Sequence, residues 1–136
     1  MGAIDSLRAA WAPNLLSVLR IIIGLLYMQH GLSKLFAWPS PAPPNWTLFS
    51  LLGLAGILET FGGLLIAIGL FTVPVAFILS GEMAFAFFMA HFPRAWLPAL
   101  NGGNLATLYC FVFLYLAAAG GGPWSVDAMR ARGARA

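Results

Sequence analysis

The sequence predicts an all-α integral membrane protein, a bundle of four transmembrane helices, and three observations carry that prediction. Of 136 residues, 61% are hydrophobic. Only 8% are charged, against roughly 25% in soluble domains. The apolar residues gather into four runs near the ~20-residue length that crosses a bilayer. These runs are 15–36, 48–70, 73–91 and 104–119. They leave no room for a soluble domain, so 1–136 reads as a single transmembrane domain with short tails.

The first run begins behind Pro13 and Asn14, which suit a helix start. After it, Pro39, Pro41, Pro43 and Pro44 exclude helix and predict an ordered extended loop over 38–45. Between the second and third runs, Phe71 and Thr72 leave space only for a tight turn. Those two helices are therefore expected to be antiparallel neighbours, with Pro74 tolerated in the first turn of the third. A longer loop, 92–103, carries Pro93, Pro98, Gly102 and Gly103. Gly120, Gly121, Gly122 and Pro123 stop the fourth helix.

Four spans place both termini on one side, with Arg8, Arg130, Arg132 and Arg135. Lys34 and Arg94 fall on the other. The positive-inside rule then predicts cytoplasmic termini in a bacterial inner (plasma) membrane. Trp38, Trp46 and Trp96 fall at the outer interface, Trp11 and Trp124 at the inner one. The net charge of +3 and pI near 9.6 do not indicate nucleic acid, because the basic residues are few and three of the seven, Arg130, Arg132 and Arg135, sit on a short tail. The partner these residues predict is the lipid bilayer. Cys110 is the one cysteine. It excludes an internal disulfide and a Cys-x-x-Cys redox site and reads as a small apolar helix residue. Residues 1–13 show no signal-peptide pattern, so the first helix is expected to be retained.

The chemistry concentrates on a few ionisable groups. Glu59 and Glu82 sit near the middles of the second and third runs. A charge at bilayer depth costs at least ~2.5–3.5 kcal/mol, so each needs a partner, a proton or a cavity. On the first helix Arg20, Gly24, Tyr27, Gly31 and Lys34 share one face, with His30 beside it. Gly56, Glu59 and Gly63 share a face of the second, and the glycines turn Glu59 into a close helix contact. The four charges balance, Arg20 and Lys34 against Glu59 and Glu82. Buried ion pairs that fix the packing are one reading. A proton-exchanging carboxyl is the other. In the fourth helix Asn104, Thr107 and Phe111 are expected to face the interior.

Tyr27-Met28-Gln29-His30 with Lys34 is echoed by Phe88-Met89-Ala90-His91 with Arg94, a weak repeat that fits two duplicated hairpins. His30 and His91 then both lie in the outer half. They are placed either to cap helix ends, to hydrogen-bond a quinone headgroup, or to ligate haem. With Met28 and Met89 they also form a ligand set suited to Cu(I).

The ordered series Arg20 with Gly24, His30-Gly31-Leu32-Ser33-Lys34-Leu35, Leu58-Glu59 with Gly62-Gly63, and Gly69-Leu70 resembles the DoxX family of small membrane proteins. Glu82-Met83-Ala84, His91, Asn101-Gly102-Gly103 and Gly122-Pro123-Trp124-Ser125 with Asp127 extend the resemblance over nearly the whole chain. It implies a four-helix membrane bundle linked to redox complexes. The archaeal members that name the family are subunits of a thiosulfate:quinone oxidoreductase. Other bacterial members are tied to oxidative-stress oxidoreductase assemblies. Glu59, Lys34 and His91 match the family pattern. Relatives often carry Glu where this chain has Asn104.

The expected function is that of an inner-membrane redox subunit acting on a quinone, an oxidoreductase subunit if it is an enzyme at all. Tyr27, His30, Lys34 and His91 would contact the quinone. Glu59, Glu82 and Arg20 would form the acid–base core. No electron-carrier motif is present, so a partner redox subunit or a second copy of the chain completes this reading. The alternatives are a small proton-coupled transporter, a non-catalytic assembly subunit, and a haem or copper protein built on Met28, His30, Met89 and His91.

Overall fold

The structure is a computed structural model, and it describes residues 2–135. Six helices follow one another, with no strand among the described residues. They are α1 (Ala3–Phe36), α2 (Leu51–Ile68), α3 (Thr72–His91), α4 (Pro98–Asn101), α5 (Asn104–Ala119) and α6 (Val126–Gly133). The first three are long and apolar enough to cross a membrane. The sixteen residues of α5 reach about 24 Å at 1.5 Å per residue, close to a hydrocarbon core of ~30 Å.

The outward faces are apolar. Ile22 and Leu26 on α1, Phe61 and Leu64 on α2, Phe77 and Ile78 on α3, and Leu108 and Phe111 on α5 are all exposed. A soluble protein does not leave so much apolar surface in water. Hydrocarbon accepts it, provided the backbone bonds internally, as helices do. The chain is a multi-pass membrane protein.

Four boundaries differ from expectation. Helix α1 starts at Ala3 and runs through Pro13. Proline leaves the carbonyl four residues back without its helical donor. Here that residue is Ala9, which is exposed, so water can satisfy it. At 34 residues α1 measures about 51 Å, and its first three turns project beyond the bundle. Helix α2 starts at Leu51, three residues late, because Ser50 caps it by accepting from the Gly53 N–H at 3.2 Å. Short helices α4 and α6 lie in segments read as loop and tail.

The helices associate as two pairs, α1 with α2 and α3 with α5. Glycines bring α1 and α2 together. A Cβ on Gly24 would stand 2.5 Å from the Ala67 nitrogen, and one on Gly63 would stand 2.8 Å from the Met28 nitrogen. The pairs meet over a core of Tyr27, Ile66, Leu79, Phe113 and Leu116. Helices α2 and α3 touch near their shared turn, where Leu79 packs on Gly62. Further from the turn they diverge, so the expected antiparallel contact holds for only part of their length.

On α5 the buried face is Ala106, Tyr109, Phe113 and Leu116. Asn104 and Phe111 are exposed and Thr107 is half-buried, which corrects the expected phase. The Thr107 hydroxyl donates to its own helix, to the Gly103 carbonyl at 2.9 Å, so it needs no inward partner.

Candidate functional site

Where α2 and α3 diverge they open a cavity of about 800 Å³ at the end of the bundle away from the termini. Exposed Leu51, Leu54, Ile78, Phe85 and Met89 form its apolar rim. Tyr27, His30, Lys34, Glu59, Glu82 and His91 supply its polar atoms. Six of the seven residues expected to bind a cofactor or do acid–base work are thus brought together. Arg20 is the seventh and lies elsewhere.

Glu59 is buried and stands on a π turn, Leu58–Gly62, inside α2. Such a turn adds a residue to the helical repeat and is frequent at functional sites. Glu59 Oε2 lies 2.5 Å from Lys34 Nζ, the one salt bridge found among the described residues. Lys34 comes from the last turn of α1. Gly31, one turn earlier, permits the approach, since a Cβ there would collide with Thr60.

Glu82 is half-buried on α3. The hydroxyl of Tyr27, itself buried, donates to Glu82 Oε2 at 2.9 Å. The other oxygen, Oε1, is buried and has no partner. Tyr27 in turn packs edge-on against Tyr109 and Phe113, with ring centroids 5.0 and 4.8 Å away. This aromatic cluster ties one helix pair to the other and positions the Tyr27 hydroxyl.

His91 ends a second π turn, Phe87–His91. Its Nδ1 lies 3.1 Å from the carbonyl of Asn101. A carbonyl only accepts, so Nδ1 carries a proton. Asn101 is buried and holds its own loop, donating to the Ala95 carbonyl at 2.7 Å and accepting from the Gly103 N–H at 2.7 Å. His30 is edge-on to Tyr109 at 6.0 Å. Both rings also line a second cavity of about 330 Å³ with Gln29, Ser33 and Ser40. Met89 lines the large cavity but Met28 does not, so the four residues considered for copper are not gathered around one space.

Arg20 does not pair with either glutamate, contrary to the balanced-charge expectation. Its guanidinium is fully buried and donates to four carbonyls. Nε reaches Gly121 at 2.7 Å and Nη2 reaches Trp124 at 2.7 Å. Nη1 reaches Ile66 at 2.7 Å and Ala67 at 2.5 Å. Ile66 and Ala67 lie in the last turn of α2, where carbonyls lack helical donors and the helix dipole is negative. A planar five-donor group suits that fan of acceptors. Arg20 thereby binds the α2 end to the glycine-rich segment after α5.

Asp127, on α6 beyond the spans, completes that junction. Its carboxylate accepts from the Phe71 and Thr72 N–H groups at 2.9 and 2.8 Å, and its own N–H donates to the Gly69 carbonyl at 2.9 Å. Partial burial pushes the carboxyl up. The N–H donors of Thr72 and Phe71, with the Arg130 charge nearby, outweigh burial and hold it below the ordinary aspartate value.

Sequence reasoning passed over Tyr109 and Gly81. Tyr109 lies on the buried α5 face and touches both Tyr27 and His30. It shares a face with Ala106, Phe113 and Leu116, but α5 is apolar on every side, so that spacing does not single it out in the sequence. Gly81 lines the cavity with open space where a side chain would be, and nothing in the sequence separates it from the packing glycines.

Fold and site define a class: a small multi-pass helical membrane protein with a polar cavity between two helix pairs. A family model described as DoxX matches residues 15–92, more than half of the chain. A Haemophilus influenzae protein named "Uncharacterized protein" is 38% identical over 122 residues, which cover 86% of this chain and 91% of that one. The chain belongs to the DoxX family. No solved structure gives a significant match.

Proposed function

We propose that this DoxX-family protein is a quinone-interacting subunit of a membrane redox complex, with the α2–α3 cavity as the headgroup site. The observation that carries this reading is the shape and chemistry of the cavity. Its volume of about 800 Å³ falls within the ~300–1,000 Å³ usual for small-molecule sites. An apolar rim of Leu54, Phe85 and Met89 suits a lipid-soluble tail, and the polar groups behind it suit a headgroup with hydrogen-bonding oxygens. A quinone takes up protons with electrons, so carboxyl and imidazole groups beside it have work to do. Tyr27, His30, Lys34 and His91 are the proposed headgroup contacts, and Glu59 and Glu82 the proton-handling pair. Arg20 holds the junction that fixes α1 against α2. A partner protein is the proposed electron donor.

We place the protein in a bacterial inner membrane with its termini in the cytoplasm. Arg8, Arg130, Arg132 and Arg135 lie on the terminal side, and Lys34 on the other side is neutralised by Glu59. That leaves Arg94 against four arginines, which favours this orientation.

The test is to purify the protein in mild detergent, extract it with solvent and assay the extract for quinone. The expected result is quinone in proportion to protein, reduced in Glu59→Gln and in His91→Ala at equal yield of folded protein. Quinone at background level in the parent protein would overturn the proposal.

A further inference from the structure

We infer that the cavity favours the reduced, hydroxyl-bearing form of its ligand, a hydroquinone, over the quinone itself, and that Glu82 makes the distinction. This rests on the quinone reading above and goes beyond it by assigning the redox form that the site retains. Quinone and hydroquinone differ little in shape but reverse their hydrogen bonding: a quinone oxygen only accepts, whereas a hydroquinone oxygen also donates.

The polar atoms already engaged leave acceptors unmatched. Tyr27 is buried and its hydroxyl donates to Glu82 Oε2 at 2.9 Å, so it is not free to donate to a ligand. Lys34 lies 2.5 Å from Glu59 Oε2, which occupies one of its three N–H donors. Glu82 Oε1 is buried and unpartnered in a residue that lines the cavity. At the loop end of the same cavity, His91 donates through Nδ1 to Asn101, so that N–H is not free for a ligand. A hydroxyl supplies the donor that Glu82 Oε1 lacks. A quinone carbonyl set against that oxygen would oppose two acceptors and leave both desolvated without a hydrogen bond.

The experiment compares decyl-hydroquinone with decyl-benzoquinone on the full-length protein in detergent. Binding is measured calorimetrically under anaerobic conditions, with ascorbate in the hydroquinone arm. A hydrogen bond to a buried acceptor otherwise left unpaired predicts hydroquinone binding tighter by about tenfold. Glu82→Gln should bring the two affinities together. A redox titration of the bound couple gives a second readout. Tenfold tighter binding of the reduced form raises the midpoint potential by about 30 mV. Equal affinities, tighter quinone binding, or a preference that survives Glu82→Gln overturns this inference and leaves the quinone reading standing. Binding of neither form removes both. The comparison on the unsubstituted protein decides the matter even if Glu82→Gln fails to fold.

Discussion

Lys34 Nζ lies 2.5 Å from Glu59 Oε2, so the last turn of α1 is pinned by charge to the π turn in the middle of α2. Each residue alone would leave a buried charge without a counterion. Removing one partner of such a pair costs about 3–5 kcal/mol, whereas replacing both by apolar groups can be nearly neutral. Lys34→Met should therefore lower thermal stability in detergent sharply. The double variant Lys34→Met with Glu59→Leu should recover most of it. The two melting curves, against the parent protein, check this.

Arg20 makes the corresponding prediction for the other end of the bundle. Arg20→Lys keeps the charge but loses the fork that reaches four carbonyls. Each buried carbonyl left unmatched costs about 1–3 kcal/mol, so the substitution should be strongly destabilising despite its similarity. Because Gly121 and Trp124 are among the acceptors, limited proteolysis should first cut the chain after α5.

The Asp127 carboxylate caps α3 from outside, and its pH dependence has a definite sign. Its folded value lies below the ordinary aspartate value. Its stabilisation is therefore complete above the unfolded value of about 3.9 and is lost as pH falls through the folded value. Thermal melts between pH 7 and pH 3 should show an acid-side loss that Asp127→Asn reduces. At neutral pH, Asp127→Ala should cost about 0.5–2 kcal/mol, as for other helix N-terminal caps.

Two glycines separate packing from binding. Gly24 has the Ala67 backbone where a Cβ would sit, and Gly81 has open space. Gly24→Leu should prevent α1 and α2 from closing, seen as aggregation on size-exclusion chromatography. Gly81→Leu fills the cavity from one wall. It should leave elution and melting near the parent values and cut quinone retention several-fold.

Much of this architecture was legible in the sequence. The polar stripe Arg20, Gly24, Tyr27, Gly31 does face inward, because a charged or small residue repeated at helical spacing in an apolar run has nowhere else to go. The glycines around Glu59 marked a close contact for the same reason. The phase of α5 was not legible: it is apolar all round, so its few polar residues gave a false bearing. The π turns at 58–62 and 87–91 leave no compositional trace. Nor did charge counting reveal that Arg20 serves carbonyls, since backbone acceptors do not appear in a balance of side chains. The cavity follows from the angle between helix pairs, which depends on many contacts at once.

The most direct measurement on the central claim is photo-crosslinking with a short-chain benzoquinone bearing an azido group, followed by mass spectrometric mapping. The account predicts labelling of cavity residues such as Leu54, Phe85 and Met89, suppressed by excess decyl-benzoquinone and weakened in Gly81→Leu. Labelling spread over outward-facing residues such as Ile22, Phe61 and Phe111, with no competition, would contradict it.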